Sequence, residues 1–123
     1  MTYRITEHQL ADDVRVIALA GEGDLMAAPE LRRRVDSAID AGATKLVLDL
    51  SESTFIDSTA LGILLGALKR LRPRGGRVAV LCPDPAIGKV FEITGFDRMM
   101  PVTSTLAEAL AALHEPDSGT SEH

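Results

Sequence analysis

With 123 residues, 46% of them hydrophobic and 25% charged, the chain has the composition of one water-soluble globular domain, and no apolar run is long enough to span a bilayer. A net charge of -5 and an aromatic content of 3% argue against nonspecific attraction to nucleic acid and against stacking of bases. The single cysteine, Cys82, can form neither an internal disulfide nor, alone, a metal site, which fits a reducing cytoplasm, and Met1 to Asp13 lacks the basic-then-apolar order of a secretory signal.

In chain order, Thr2 to Thr6 reads as an edge strand, and Val14 to Ala20, with Val14, Val16, Ile17 and Leu19 in a mostly apolar run, reads as a better one. Gly21 to Met26 reads as loop. A helix follows over Ala27 to Ala41, with Leu31, Val35, Ala38 and Ile39 at core spacing, Pro29 in its first turn and Gly42 as its stop. Lys45 to Leu50 is a strand and Ser51 to Asp57 a loop. The next helix runs from Ser58 to about Leu71, with Leu61, Leu64, Leu65, Leu68 and Leu71 on one stripe and Gly62 and Gly66 read as points of close packing on the sheet.

Pro73 and Gly75-Gly76 turn the chain into a strand over Arg77 to Leu81. Asp84 then caps, and Pro85 opens, a short helix with Ile87, Val90 and Phe91 inward and Gly95 as its stop. Met99 to Val102 reads as a short strand, placed at an edge by Pro101. The last helix begins near Thr105, spaced from Glu108 as a capping box, with Leu106, Leu110 and Leu113 as its core face. Residues 1–114 thus form one domain. Residues 115–123 are polar, contain Pro116 and Gly119, and are expected to be a disordered tail.

Alternation of strands and helices predicts an α/β domain with a central mixed, mostly parallel sheet of about four or five strands and about four helices. Strand-to-helix loops of such a sheet emerge on one edge, so Asp24, Thr54 and Ser58 are expected on a common rim, where α/β sheets bind their ligands. Ser58 stands at a helix start, where a short hydroxyl can cap exposed backbone N–H groups.

A serine beside an aspartate invites an enzyme reading, and the surrounding residues oppose it. Ile56 and Ala60 stand where a nucleophile elbow needs glycines, and His8, His114 and His123 lie toward the chain ends, leaving no base for a Ser-His-Asp arrangement. The sequence contains no Gly-Lys-Ser/Thr phosphate loop and no paired-histidine metal motif, so no catalysis, cofactor or metal is expected. Arg70, Arg72, Arg74 and Arg77 form a basic cluster that reads as a solvated face.

Gly21-Glu22-Gly23-Asp24 with Ala28-Pro29-Glu30-Leu31, the strand Leu46 to Leu50, and Phe55-Ile56-Asp57-Ser58-Thr59-Ala60-Leu61-Gly62 together resemble the anti-sigma factor antagonists of the STAS domain class, small bacterial proteins. The likeness continues through Gly75-Gly76 and Thr94-Gly95-Phe96 and covers nearly all of Val14 to Leu113. It implies a single STAS domain in which the hydroxyl after the motif aspartate, here Ser58, accepts phosphate from an anti-sigma factor that is itself a serine kinase. Gly21, Glu22, Asp24, Thr54, Asp57, Ser58 and Thr59 would form the partner-binding surface. The unphosphorylated form would hold the anti-sigma factor and so release a sigma factor, and a metal-dependent serine phosphatase would restore it, without direct nucleic-acid contact or membrane insertion.

Ala60 stands where many relatives have glycine, and Thr59 offers a second hydroxyl next to the preferred Ser58. Two other readings compete. STAS domains also serve as scaffolding subunits of bacterial lipid-transport complexes, and Asp49 at the end of a central strand invites comparison with an aspartate-phosphorylated receiver. A receiver would want an acidic pair after its first core strand and a late strand-end lysine, whereas Lys89 falls on a predicted helix.

Overall fold

The computed structural model describes residues 3–114. Its elements are β1 (Tyr3–Ala11), β2 (Val14–Gly23), α1 (Ala28–Asp40), β3 (Lys45–Asp49), β4 (Ser53–Ile56), α2 (Ser58–Leu71), β5 (Arg77–Leu81), α3 (Pro85–Thr94), β6 (Val102–Thr103) and α4 (Leu106–Leu113). The sheet has six strands in the order β1-β2-β3-β5-β6, with β4 attached to β2 beside that path. Only β1 runs antiparallel; every other pairing is parallel.

The middle strands read as unbroken apolar runs because both of their faces are covered. Ile17, Leu19, Leu46, Leu48, Val78 and Val80 point to one side, into the large core made with α1, α2 and α3. Val14, Val16, Val47, Ala79 and Leu81 point to the other, where Ala109 and Leu113 of α4 cover them. Charged ties hold the outer elements to this frame. Glu7 on β1 joins Arg15 on β2 at 2.8 Å and Arg34 on α1 at 3.1 Å, and Arg70 on α2 reaches both Asp36 and Asp40 on α1.

Several local signs act as read from the sequence. Pro29 lies in the first turn of α1, Gly42 follows its end at a φ of 109°, and Gly95 closes α3 at a φ of 80°, a left-handed conformation that glycine adopts without strain. Asp84 caps α3 through the Ala86 amide, and Thr105 caps α4 through the Glu108 amide.

Other expectations are corrected. The edge strand is longer than Thr2 to Thr6, extending to Ala11 because it pairs along almost the whole of β2. Gly21 to Gly23 continue β2, and Ser53 to Ile56 form β4, so neither segment is simply loop and the sheet has six strands instead of four or five. The late strand is Val102–Thr103, after a turn at Phe96 to Arg98, not Met99 to Val102. Leu106 is exposed instead of core, since it sits in the first turn of α4 at the end of the sheet, and Ala109 and Leu113 fill the buried face.

Gly62 and Gly66 do not mark close packing: a Cβ on either would meet nothing within 4 Å. The close approach is at Gly76, where a Cβ would collide with the Thr44 carbonyl oxygen and lie 2.9 Å from the Leu71 Cβ. The expected C-terminal tail lies outside the described residues.

Candidate functional site

Strand β2 is shared between two neighbours. Its first half, Val14 to Ala18, pairs with β3, and its last three residues pair with β4, in the register Gly21 to Ser53, Glu22 to Phe55 and Gly23 to Ile56. The fork is fastened at its base, where the Gly21 amide donates to the Glu52 carbonyl at 2.9 Å and the buried Ser53 hydroxyl donates to the Leu19 carbonyl. Parallel neighbours lie about 4.8 Å apart. Asp24 directly follows Gly23 and Asp57 directly follows Ile56, so the two aspartates leave one end of the sheet side by side.

Each aspartate spends its carboxylate on the chain that follows it. Asp24 Oδ1 accepts from the Met26 amide at 3.0 Å and from the Ala27 amide at 3.4 Å, while its carbonyl accepts from Ala27 and Ala28, so the residue shapes the turn that opens α1. Asp57 has extended backbone, and its Oδ1 accepts from the Thr59 amide at 3.0 Å and the Ala60 amide at 3.2 Å. Asp57 is therefore the N-cap of α2, and the expectation that Ser58 caps it is corrected. A carboxylate at that position holds two of the amides that a helix start leaves without intrahelical partners.

Relieved of capping, Ser58 is the first residue of α2 and is exposed, whereas Thr59 is half-buried. Thr54 is exposed on β4, and Gly21 and Glu22 lie half-buried on β2. The sequence brings these residues to one rim, as read, but β4 is the element that does it. Ser53 was not singled out, although a polar residue in the short β-prone run Ser53 to Ile56 is the trace a buried tether leaves.

The rim is not a pocket. A depression of about 190 Å3 lined by Arg4, Thr6, Ala18, Ala20, Asp49 and Ser51, among others, includes none of Asp24, Asp57 and Ser58. Asp49, which invited the receiver comparison, binds the Ser51 amide and hydroxyl at 2.9 and 2.6 Å. An exposed hydroxyl at the start of a helix, flanked by two carboxylates on a projecting edge, suits recognition by another macromolecule better than enclosure of a small substrate.

With that geometry in view, comparison with known proteins finds that the sequence profile of the STAS domain matches residues 6–109. The chain belongs to the STAS domain family. The anti-sigma F factor antagonist of Paenibacillus polymyxa is 31% identical over 101 residues, covering 81% of this chain and 86% of that relative. Among solved structures, an anti-sigma factor antagonist from Mycobacterium paratuberculosis superposes on this STAS domain with a TM-score of 0.83 at 29% identity, covering 93% of this chain and 96% of that one. The Bacillus cell-fate determinant SpoIIAA, in its phosphorylated form, does so with a TM-score of 0.70 at 28% identity, covering 88% and 97%. Among the described residues of this STAS domain, no helix is long and apolar enough to cross a membrane.

Proposed function

We propose that this STAS domain is an anti-sigma factor antagonist of the cytoplasm, switched by phosphorylation of Ser58. The observation that carries the reading is the division of labour at the start of α2: Asp57 takes the helix amides, and Ser58 offers an exposed hydroxyl beside it. Unphosphorylated, the rim of Gly21, Glu22, Asp24, Thr54, Asp57, Ser58 and Thr59 binds an anti-sigma factor that is also a serine kinase, and the sigma factor is released. In the reverse direction, Ser58 Oγ attacks the γ-phosphorus of ATP held by that partner. The new O–P ester forms as the bond to the β-phosphate oxygen breaks, ADP leaves, and the hydroxyl proton passes to a base of the kinase. A metal-dependent phosphatase hydrolyses the ester and resets the switch.

Electrostatics supports the direction of the switch. A phosphate adds roughly -1.5 to -2 charges at neutral pH. A helix N-terminus ordinarily favours such an anion, yet the Thr59 and Ala60 amides are already bound to Asp57. The added charge therefore stands beside Asp57 and near Asp24 with little local compensation. A loss of about 2.8 kcal/mol of complementarity weakens binding about a hundredfold, enough to separate an on-state from an off-state without refolding the domain.

Incubation with the purified anti-sigma factor kinase and ATP, followed by mass spectrometry, tests the reading. One phosphate on Ser58, stable to hydroxylamine as a serine ester is, is the expected product. A phosphate on Thr59 would reassign the acceptor, and a hydroxylamine-labile adduct on Asp49 would replace the reading with the receiver alternative. Absence of any adduct would remove the switch.

A further inference from the structure

We infer that Leu25 and Met26 are the apolar anchor by which this rim grips its anti-sigma factor, and that Asp24 is a positioning residue whose carboxylate holds the turn that presents them. The inference rests on the proposed function and names what the partner must offer: an apolar pocket bordered by cations.

Leu25 and Met26 are 70% and 73% exposed, an unusual state for two consecutive large apolar side chains in a domain whose other leucines are mostly buried. Their exposure is imposed by the backbone. Asp24 Oδ1 binds the Met26 and Ala27 amides, and its carbonyl binds the Ala27 and Ala28 amides, so the turn closes over four residues with Leu25 and Met26 outside and Ala27 buried. Phe55, paired with Glu22 on the adjoining strand, is 49% exposed and adds a third apolar side chain at this end of the β2 and β4 ladder.

Topology separates this group from the other exposed apolar residues. Ile93, at 77% exposed, is the ninth of ten residues in α3, which starts at the rim and runs away from it. Leu10 lies near the far end of β1, close to the pairing of Ala11 with Val14. Leu25 and Met26, by contrast, come directly after Asp24, whose neighbour across the ladder leads into Asp57 and Ser58.

The occupant follows from the chemistry of phosphoryl transfer. A kinase that brings a γ-phosphorus to Ser58 Oγ must cover the rim around that hydroxyl, including the turn beside it. Glu22, Asp24 and Asp57 make that rim acidic, so the covering face is basic, and the apolar pair demands a nonpolar pocket within it. Flexible Met and branched Leu side chains desolvated at the centre of a contact carry much of its affinity.

Asp24 then acts through the turn more than through its charge. Substitution by asparagine keeps the Oδ1 acceptor and removes the charge, and substitution by alanine removes both. The test is a calorimetric titration of the full chain and its variants with each purified anti-sigma factor kinase of the source genome. L25S/M26S is expected to bind more than tenfold more weakly than the parent, D24A to weaken similarly, D24N to stay within about threefold of the parent, and I93S to bind as the parent does. Thermal melting should show all four folded, because the altered side chains are exposed or, at Asp24, confined to one turn.

Parent-like binding by L25S/M26S would overturn the anchor even if Ser58→Glu binds poorly, in which case the proposed function survives. Weak binding by D24N would move the role of Asp24 from the turn to its charge and overturn that half of the inference. If no kinase binds the parent chain, the proposed function and the anchor fall together.

Discussion

Asp57 holds the Thr59 amide at 3.0 Å across Ser58, so the residue between them enters the helix without having to cap it. A capping serine would have its oxygen turned toward backbone amides, and phosphorylation would have to break that contact first. Here the cap and the acceptor are separate side chains.

That separation fixes what acidic and neutral replacements at residue 58 should do. Ser58→Ala should bind the anti-sigma factor constitutively, because the cap is untouched and the phosphate cannot be added. Ser58→Glu should bind on the order of a hundredfold more weakly, since it places a carboxylate beside Asp57. Titration against the purified partner with and without ATP reads both, and parent-like affinity in Ser58→Glu would eliminate repulsion as the mechanism.

Removing the cap is a stability experiment, distinct from the switch. Asp57→Ala should cost about 0.5–2 kcal/mol, whereas Asp57→Asn, which retains an acceptor oxygen, should lose much less. Urea unfolding followed by circular dichroism distinguishes them, and an unchanged midpoint for Asp57→Ala would mean that the helix start is held by other contacts.

Glycine positions predict opposite signs. Gly76→Ala should destabilise by about 1–3 kcal/mol, because the new methyl meets the Thr44 carbonyl and the Leu71 Cβ, both part of fixed backbone or its first side-chain atom. Gly62→Ala should stabilise by about 0.5–1 kcal/mol, since its Cβ enters open space on a helix that gains from alanine. Melting temperatures moving in the same direction would contradict the packing described for one of the two.

The link between the first hairpin and β3 should weaken in acid. A hydrogen bond from Lys45 at 3.0 Å, reinforced by its charge, holds the Asp13 carboxyl below the usual aspartate range. A carboxyl depressed in the folded state stabilises the fold above its unfolded pKa, and that contribution is lost as pH falls through the folded value. Melting temperature plotted against pH should therefore drop less steeply in acid for Asp13→Asn than for the parent. Identical slopes would show that the pair contributes nothing to folding.

The middle of the fold was legible because its signals are redundant. Leu46 to Leu50 and Val78 to Leu81 are buried on both sides, and each neighbouring helix carries a periodic apolar stripe with a proline or glycine at its boundary. The fork was not. Ser53 to Ile56 is only four residues long and passes directly into α2, and its place is decided by pairing with a strand some thirty residues earlier, which local periodicity cannot report. The same limit hid the cap: Asp57 and Ser58 are both good capping residues, and only the extended backbone at Asp57 chooses between them. Gly62, Gly66 and Gly76 look alike in sequence, and what stands opposite each of them is a tertiary fact.

The forked strand also sets which changes of length the domain can tolerate. An extra residue in the bend at Leu50 to Glu52 falls between two ladders and can be accommodated by that bend. One inserted within Gly21 to Gly23 would rotate everything beyond it to the opposite side of the sheet and part Asp24 from Asp57. Lineages diverging from this protein should accumulate insertions in the first place and keep the second at constant length.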